Sequence, residues 1–151
     1  MNFIQDNESE STKGVLRGLH AQTGKYAQAK LVRVVEGAVF DVAVDARPES
    51  ADFGKWYGTE LSHRNGRMLF IPRGFLHGFL VLSDYARFVY KVDNVYAPQA
   101  EITVSYDDPD IAIGWPDVGV KYLLSEKDRL NSLRFKELIG LNPELQTHNQ
   151  G

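Results

Sequence analysis

Apolar and polar positions alternate most clearly between Lys30 and Asp45, where Leu31, Val32, Val34, Val35, Val39, Phe40, Val42 and Val44 flank Glu36-Gly37. The pattern predicts two strands joined by a glycine-containing turn. In the second strand Val42 and Val44 alternate with Asp41, Ala43 and Asp45, and β-branched residues dominate both, as expected for a half-buried pleated surface. Ala46-Arg47-Pro48-Glu49-Ser50 ends the run. Further strands are predicted over Lys55–Ser62, Arg67–Ile71, His77–Leu82, Arg87–Val92 and Glu101–Tyr106, separated by Arg64-Asn65-Gly66, Pro72-Arg73-Gly74, Ser83-Asp84 and Ala97-Pro98. Short strands punctuated this often argue for an antiparallel sandwich or barrel. One helix is predicted from Ser125 to Ile139: Leu130, Leu133, Leu138 and Ile139 fall at mixed helical spacings, Ser125 and Asp128 form a Ser-x-x-Asp start, and Gly140 is a stop. The polar stretch Asn142–Gly151, with Pro143, is expected to fray.

Composition narrows the class. With 151 residues, 43% hydrophobic and 25% charged, the chain reads as one globular domain rather than a disordered segment or coiled coil. Seventeen Lys and Arg against twenty Asp and Glu leave a net charge of -3, so nucleic acid and membrane surfaces are not expected partners. Without cysteine there are no disulfides, zinc ribbons, iron–sulfur clusters or thiol chemistry. No basic-then-apolar start and no apolar run near the roughly 18 residues of a membrane span is present, so a soluble, cytoplasmic protein is expected.

Candidate chemistry rests on four histidines. His20, in Arg17-Gly18-Leu19-His20, has a fixed positive charge three residues away and a glycine that permits close backbone approach; it reads equally as a catalytic base or a structural imidazole. His77, crowded by Pro72, Gly74, Phe75 and Phe79, reads as well as a buried ring tied to a backbone carbonyl as it does as a functional group. His63 and His148 read as surface residues. A three-histidine metal centre would require His20, His63 and His77 to converge.

The spacing Gly-x5-Pro-x-Gly-x2-His from Gly66 to His77 resembles the second conserved motif of the cupin superfamily, which implies a small jelly-roll barrel. Metal-binding cupins also carry a His-x-His pair, which this chain lacks, so the resemblance implies a cupin that works without a metal. Longer blocks narrow it further: Gln5-Asp6-Asn7, Val15-Leu16-Arg17-Gly18-Leu19-His20-Ala21-Gln22, Lys30-Leu31-Val32-Arg33, Ile71-Pro72-Arg73-Gly74-Phe75-Leu76-His77-Gly78-Phe79, Tyr90-Lys91, Ile113-Gly114-Trp115-Pro116 and Leu124-Ser125-Glu126-Lys127-Asp128 follow in order. From Phe3 to Leu133 the chain resembles the dTDP-4-dehydrorhamnose 3,5-epimerases. Members of that family usually carry a preceding amino-terminal segment, and its absence here implies the loss of part of the nucleotide grip and of the dimer exchange.

The resemblance implies an all-β antiparallel jelly-roll (cupin) barrel with a short C-terminal helical segment, residues 1–140 forming the domain and 141–151 a polar tail. It implies a homodimeric isomerase acting at C3, C5 or both of a nucleotide-diphosphate 4-keto-6-deoxy sugar, with no cofactor because the keto group is the electron sink. His20 matches the general base, Asp128 its carboxylate partner, Tyr90 the opposite-face proton donor and Lys30 the cation near the C4 oxygen. Gln5, Asn7, Arg17, His77, Glu101 and Lys127 match substrate-binding positions, Arg17 being suited to pyrophosphate. Taken singly, Tyr90 also reads as a core aromatic, Lys30 as a solvated charge and Asp128 as a first-turn helix residue. Tyr96 reads either as a wall of the sugar pocket or as core. The rival functions are a single-site epimerase or ketoisomerase on a related sugar nucleotide, a non-catalytic sugar-nucleotide binding module and, last, a metal-dependent cupin.

Overall fold

The computed structural model describes residues 1–138. Its strands are β1 (Gln5–Thr12), β2 (Leu16–Gln22), β3 (Lys30–Glu36), β4 (Ala38–Asp45), β5 (Trp56–Ser62), β6 (Met68–Ile71), β7 (Phe75–Val81), β8 (Tyr85–Val92) and β9 (Glu101–Thr103). They form two sheets, ordered β1-β8-β3-β6 and β5-β4-β7-β2-β9, in which every pairing between strands is antiparallel. This is the expected all-β sandwich.

One apolar cluster, including Val32, Val34, Val39, Leu61, Phe79, Val81 and Phe88, fills the space between the sheets. A second, including Leu19, Val42, Val44, Leu76, Val104 and Phe135, covers the other face of the five-stranded sheet beneath the carboxy-terminal segment. The five-stranded sheet is therefore buried on both sides, and this corrects the half-buried reading of β4. Val42 and Val44 face the second cluster, and the alternating Asp41 and Asp45 point inward with 0% and 2% exposure. Because buried carboxylates need partners, each has one: His77 for Asp41, Arg47 and Ser50 for Asp45.

Two strands escaped the apolar pattern. β1 is polar throughout and lies at a sheet edge, held by its ladder to β8, with Asn7, Ser9 and Ser11 turned inward between outward acidic residues. β2 carries a register shift between Arg17 and His20, which breaks the alternation. At the other end of the chain β9 is shorter than predicted.

The predicted helix is corrected to α1 (Glu126–Leu130), followed by a 3-10 turn at Phe135–Glu137. The start signal is real: Ser125 is the N-cap and accepts the Asp128 N–H at 3.1 Å. The helix stops because Leu133 is drawn into extended pairing, its N–H donating to Thr103 while its carbonyl accepts Ser105 N–H. Phe135 and Leu138 then pack on the outer cluster. Ile139, the Gly140 stop, His148 and the polar tail lie outside the described residues.

Candidate active site

The shift in β2 decides where His20 points. Arg17 faces Phe79 and His20 faces His77 across the same strand pair, so three steps along β2 match two along β7. Without the extra residue, positions three apart would point to opposite faces. With it, Arg17 and His20 line one cleft of about 430 Å3, together with Gln5, Asn7, Lys30 and Tyr90. Gly18 makes this crossing, with φ +126° and a backbone so close to β7 that a Cβ would lie 2.7 Å from the Gly78 Cα.

Asp128 reaches the cleft from α1. Its carboxylate accepts the Gly18 N–H at 3.1 Å and meets His20 Nε2 at 2.5 Å. Burial alone would raise this carboxyl, but the hydrogen bond and charge of His20, the Gly18 N–H and the Lys127 charge hold it below its ordinary value. With Nε2 engaged, Nδ1 is the ring nitrogen left for a proton from the cleft. His20 is one-quarter exposed while Asp128 is almost fully covered, so the imidazole is open to the cleft and its carboxylate partner is not.

Lys30 opens β3. The preceding Ala29 N–H donates to Asp93 at 2.7 Å, and Arg73 pairs with the same carboxylate at 3.0 Å, which gives Arg73 a structural place. Burial lowers the Lys30 ammonium from the usual lysine value, against the raising effect of Glu101 and Asp41. Its Nζ stands 6.0 Å from the Tyr90 ring centroid. Burial raises the Tyr90 phenol, opposed by Arg17, so the hydroxyl keeps its proton at neutral pH. At the rim Lys127 pairs with Glu101, and Gln5 donates to Asn7 at 2.9 Å.

His77 lies deeper, lining an adjoining cavity of about 170 Å3 with Ser9, Phe79 and Phe88, and it shares Arg17, His20, Lys30 and Tyr90 with the main cleft. Its partner is not the expected backbone carbonyl: Nε2 is 3.0 Å from both Asp41 oxygens. The ring stacks on Phe88 at 5.9 Å, and Phe88 on Phe79 at 4.4 Å. Burial lowers His77 and raises Asp41, each opposed by the other.

Nine of the ten residues expected from the resemblance therefore line the cleft or the cavity behind it, and the tenth, Asp128, joins through His20. His63 lies in a separate surface pocket with its Nδ1 3.3 Å from the Gly37 carbonyl, so the three histidines do not converge. Among the described residues no group of three His, Asp or Glu is spaced to hold a metal ion. Tyr96 is 62% exposed at the cleft wall, which removes its core reading. Asp41, Gln22 and Gln28 were missed; Asp41 was legible as a carboxylate in a β-branched run, whereas the glutamines carry no sequence signal.

A jelly-roll cleft that brings together an Asp-backed histidine, a phenol and an ammonium holds the groups with which a protein moves protons on a bound polar ligand. Comparison with known proteins makes this specific. The family model for dTDP-4-dehydrorhamnose 3,5-epimerase matches residues 1–136. The chain is 54% identical over 141 residues to the dTDP-4-dehydrorhamnose 3,5-epimerase of Escherichia coli, a match covering 93% of this chain and 75% of that one. Among solved structures, the dTDP-6-deoxy-D-glucose-3,5-epimerase of Legionella pneumophila in complex with dTDP-4-keto-L-rhamnose is 48% identical with TM-score 0.89, covering 97% of this chain and 77% of that one. A 3'-monoepimerase of Streptomyces bikiniensis in complex with dTDP-quinovose is 35% identical with TM-score 0.85, covering 92% and 69%. The chain belongs to the dTDP-4-dehydrorhamnose 3,5-epimerase family, and with it to the sugar-nucleotide epimerases, which are isomerases. Among the described residues no helix is long and apolar enough to cross a membrane.

Proposed function

We propose that the cleft epimerises a dTDP-linked 4-keto-6-deoxy hexose at both C3 and C5, with His20, Asp128, Tyr90 and Lys30 as its machinery. The observation that carries this is the meeting of the His20–Asp128 pair with Tyr90 and Lys30 around one cleft. His20 Nδ1 takes the proton from the carbon beside the ketone, and the bonding pair moves into the C4 oxygen as an enolate. Lys30 faces that developing charge. Asp128 holds Nε2–H and offsets the positive charge of the imidazolium. Tyr90 gives its proton to the opposite face, and solvent restores both groups before the second carbon reacts. The keto group is the electron sink, so the scheme needs no cofactor.

Arg17, Gln5, Asn7, Glu101 and Lys127 grip the nucleotide sugar at the rim, Tyr96 forms the wall above it, and His77 lies beneath the sugar. The same reading has the protein working as a cytoplasmic homodimer. Val35, Met68 and Phe70, all more than two-fifths exposed on the four-stranded sheet, support a second copy, and sedimentation tests it.

The likeness to a 3'-monoepimerase favours one alternative, reaction at a single carbon. Incubating dTDP-4-keto-6-deoxyglucose with the protein in D2O and EDTA separates the two by NMR. Deuterium at C3 and C5 with inversion at both is the expected result; deuterium at one carbon alone moves the assignment to the monoepimerase.

A further inference from the structure

Gln22 lines the cleft, yet its amide is bonded to backbone rather than left open to the cleft. It is 6% exposed and all its bonds are internal. Its Nε2 donates to the carbonyls of Tyr26 at 2.8 Å and Val95 at 3.0 Å, and its Oε1 accepts the Ala97 N–H at 2.9 Å. That uses both donor hydrogens and one acceptor site of the side chain. The Val95 carbonyl and the Ala97 N–H are the backbone groups on either side of Tyr96. One amide therefore grips residue 96 from both sides, as a neighbouring strand would, and ties it to the turn after β2.

Burial does not hold this segment. Val95 and Tyr96 are 49% and 62% exposed, and only Ala97 is covered. Two further amides reinforce the link between the loops: Gln28 donates to the carbonyls of Asn94 at 2.8 Å and Val95 at 3.3 Å, and Asn94 donates to that of Lys25 at 2.9 Å. An aromatic wall contributes to binding only when it is held in place beforehand.

We propose that Gln22 is a positioning residue that clamps the backbone around Tyr96, keeps that ring standing as the cleft wall, and thereby sets affinity for the nucleotide sugar without entering the chemistry. The inference rests on Tyr96 being the wall of the substrate site.

Steady-state kinetics of the full chain with dTDP-4-keto-6-deoxyglucose test it through Gln22→Met, Tyr96→Ala and the double variant. Gln22→Met keeps the side-chain length and loses all three bonds. It is expected to raise KM about five- to tenfold with kcat within about twofold, the size of one lost aromatic contact. In the Tyr96→Ala background the same change should add nothing. An equal KM rise in both backgrounds overturns the clamp while leaving the wall in place, and so does a fall in kcat at unchanged KM. If Tyr96→Ala alone leaves KM unchanged, the reading of the wall fails and the clamp falls with it. Should Gln22→Met not fold, Gln28→Ala removes only the outer bonds and should raise KM about twofold, again only with Tyr96 present. A rise that persists without Tyr96 overturns the proposal.

Discussion

Two His–Asp pairs, His20–Asp128 and His77–Asp41, have their histidines opposite each other on neighbouring strands, and they differ in depth. In the first the carboxylate is hidden and the imidazole partly open; in the second both partners are closed in. In the proposed mechanism the same two side chains serve as a base open to the cleft and a fixed polar floor beneath it. Accessibility, rather than pairing, is what differs between the two histidines. The origin of the difference is local. Asp128 comes from a short helix outside the sandwich, whereas Asp41 sits on a central strand whose other face is also covered.

Replacing Asp128 with Asn strikes the outer pair and has the largest expected effect. Turnover should fall about 10³-fold with KM little changed, because the imidazolium loses its counter-charge and its tautomer control. Because the Asp128 carboxyl is held below its ordinary value, its contribution to stability is complete above the usual carboxylate range and is lost as pH falls through the lowered value. The Asn variant should therefore flatten the acid side of a denaturation series.

Breaking the inner pair should act on stability first. His77→Leu leaves Asp41 buried without a partner, and urea unfolding should show a loss of about 3 kcal/mol. A loss as small as that of a surface substitution would erase the contrast between the two pairs.

The smallest effect sharpens the comparison. In the proposed mechanism Lys30 stays charged to face the enolate, and burial lowers it while Glu101 and Asp41 raise it. Activity should accordingly fall with rising pH before the usual lysine value is reached. In Asp41→Asn one raising charge is gone, so the alkaline limb of kcat/KM should move to lower pH; an unmoved limb would disconnect the inner pair from Lys30.

How much of this could be read along the chain follows the same division between covered and open surfaces. From β3 to β8 the strands betray themselves by apolar runs, β-branched in β3 and β4, set between turn residues, because both sheets meet there. In β1 the inward positions are polar, Asn7 lining the cleft, Ser9 the cavity behind it and Ser11 accepting from Arg17, so no apolar alternation exists. Its outward Asp6, Glu8 and Glu10 do alternate, a charge period of two that marks the strand as well as valines would. The helix was overextended because its leucines at 130 and 133 suit a helical face, yet one is exposed and the other pairs with the sheet. Site residues emerged from ordered blocks resembling a family; single-residue chemistry left His20 and His77 equal. The resemblance separates them, and the fold supplies the physical difference, an imidazole open to the cleft against one closed in.

The central claim is that His20 removes the substrate protons. NMR of dTDP-4-keto-6-deoxyglucose in D2O with His20→Asn, run beside the parent at matched concentration and with unfolding curves as the control for integrity, tests it directly. Deuterium entry at C3 and C5 is expected to slow at least about 10³-fold while the nucleotide sugar still binds. Entry at the parent's rate in a folded His20→Asn protein would contradict it and transfer the role of base to another group in the cleft.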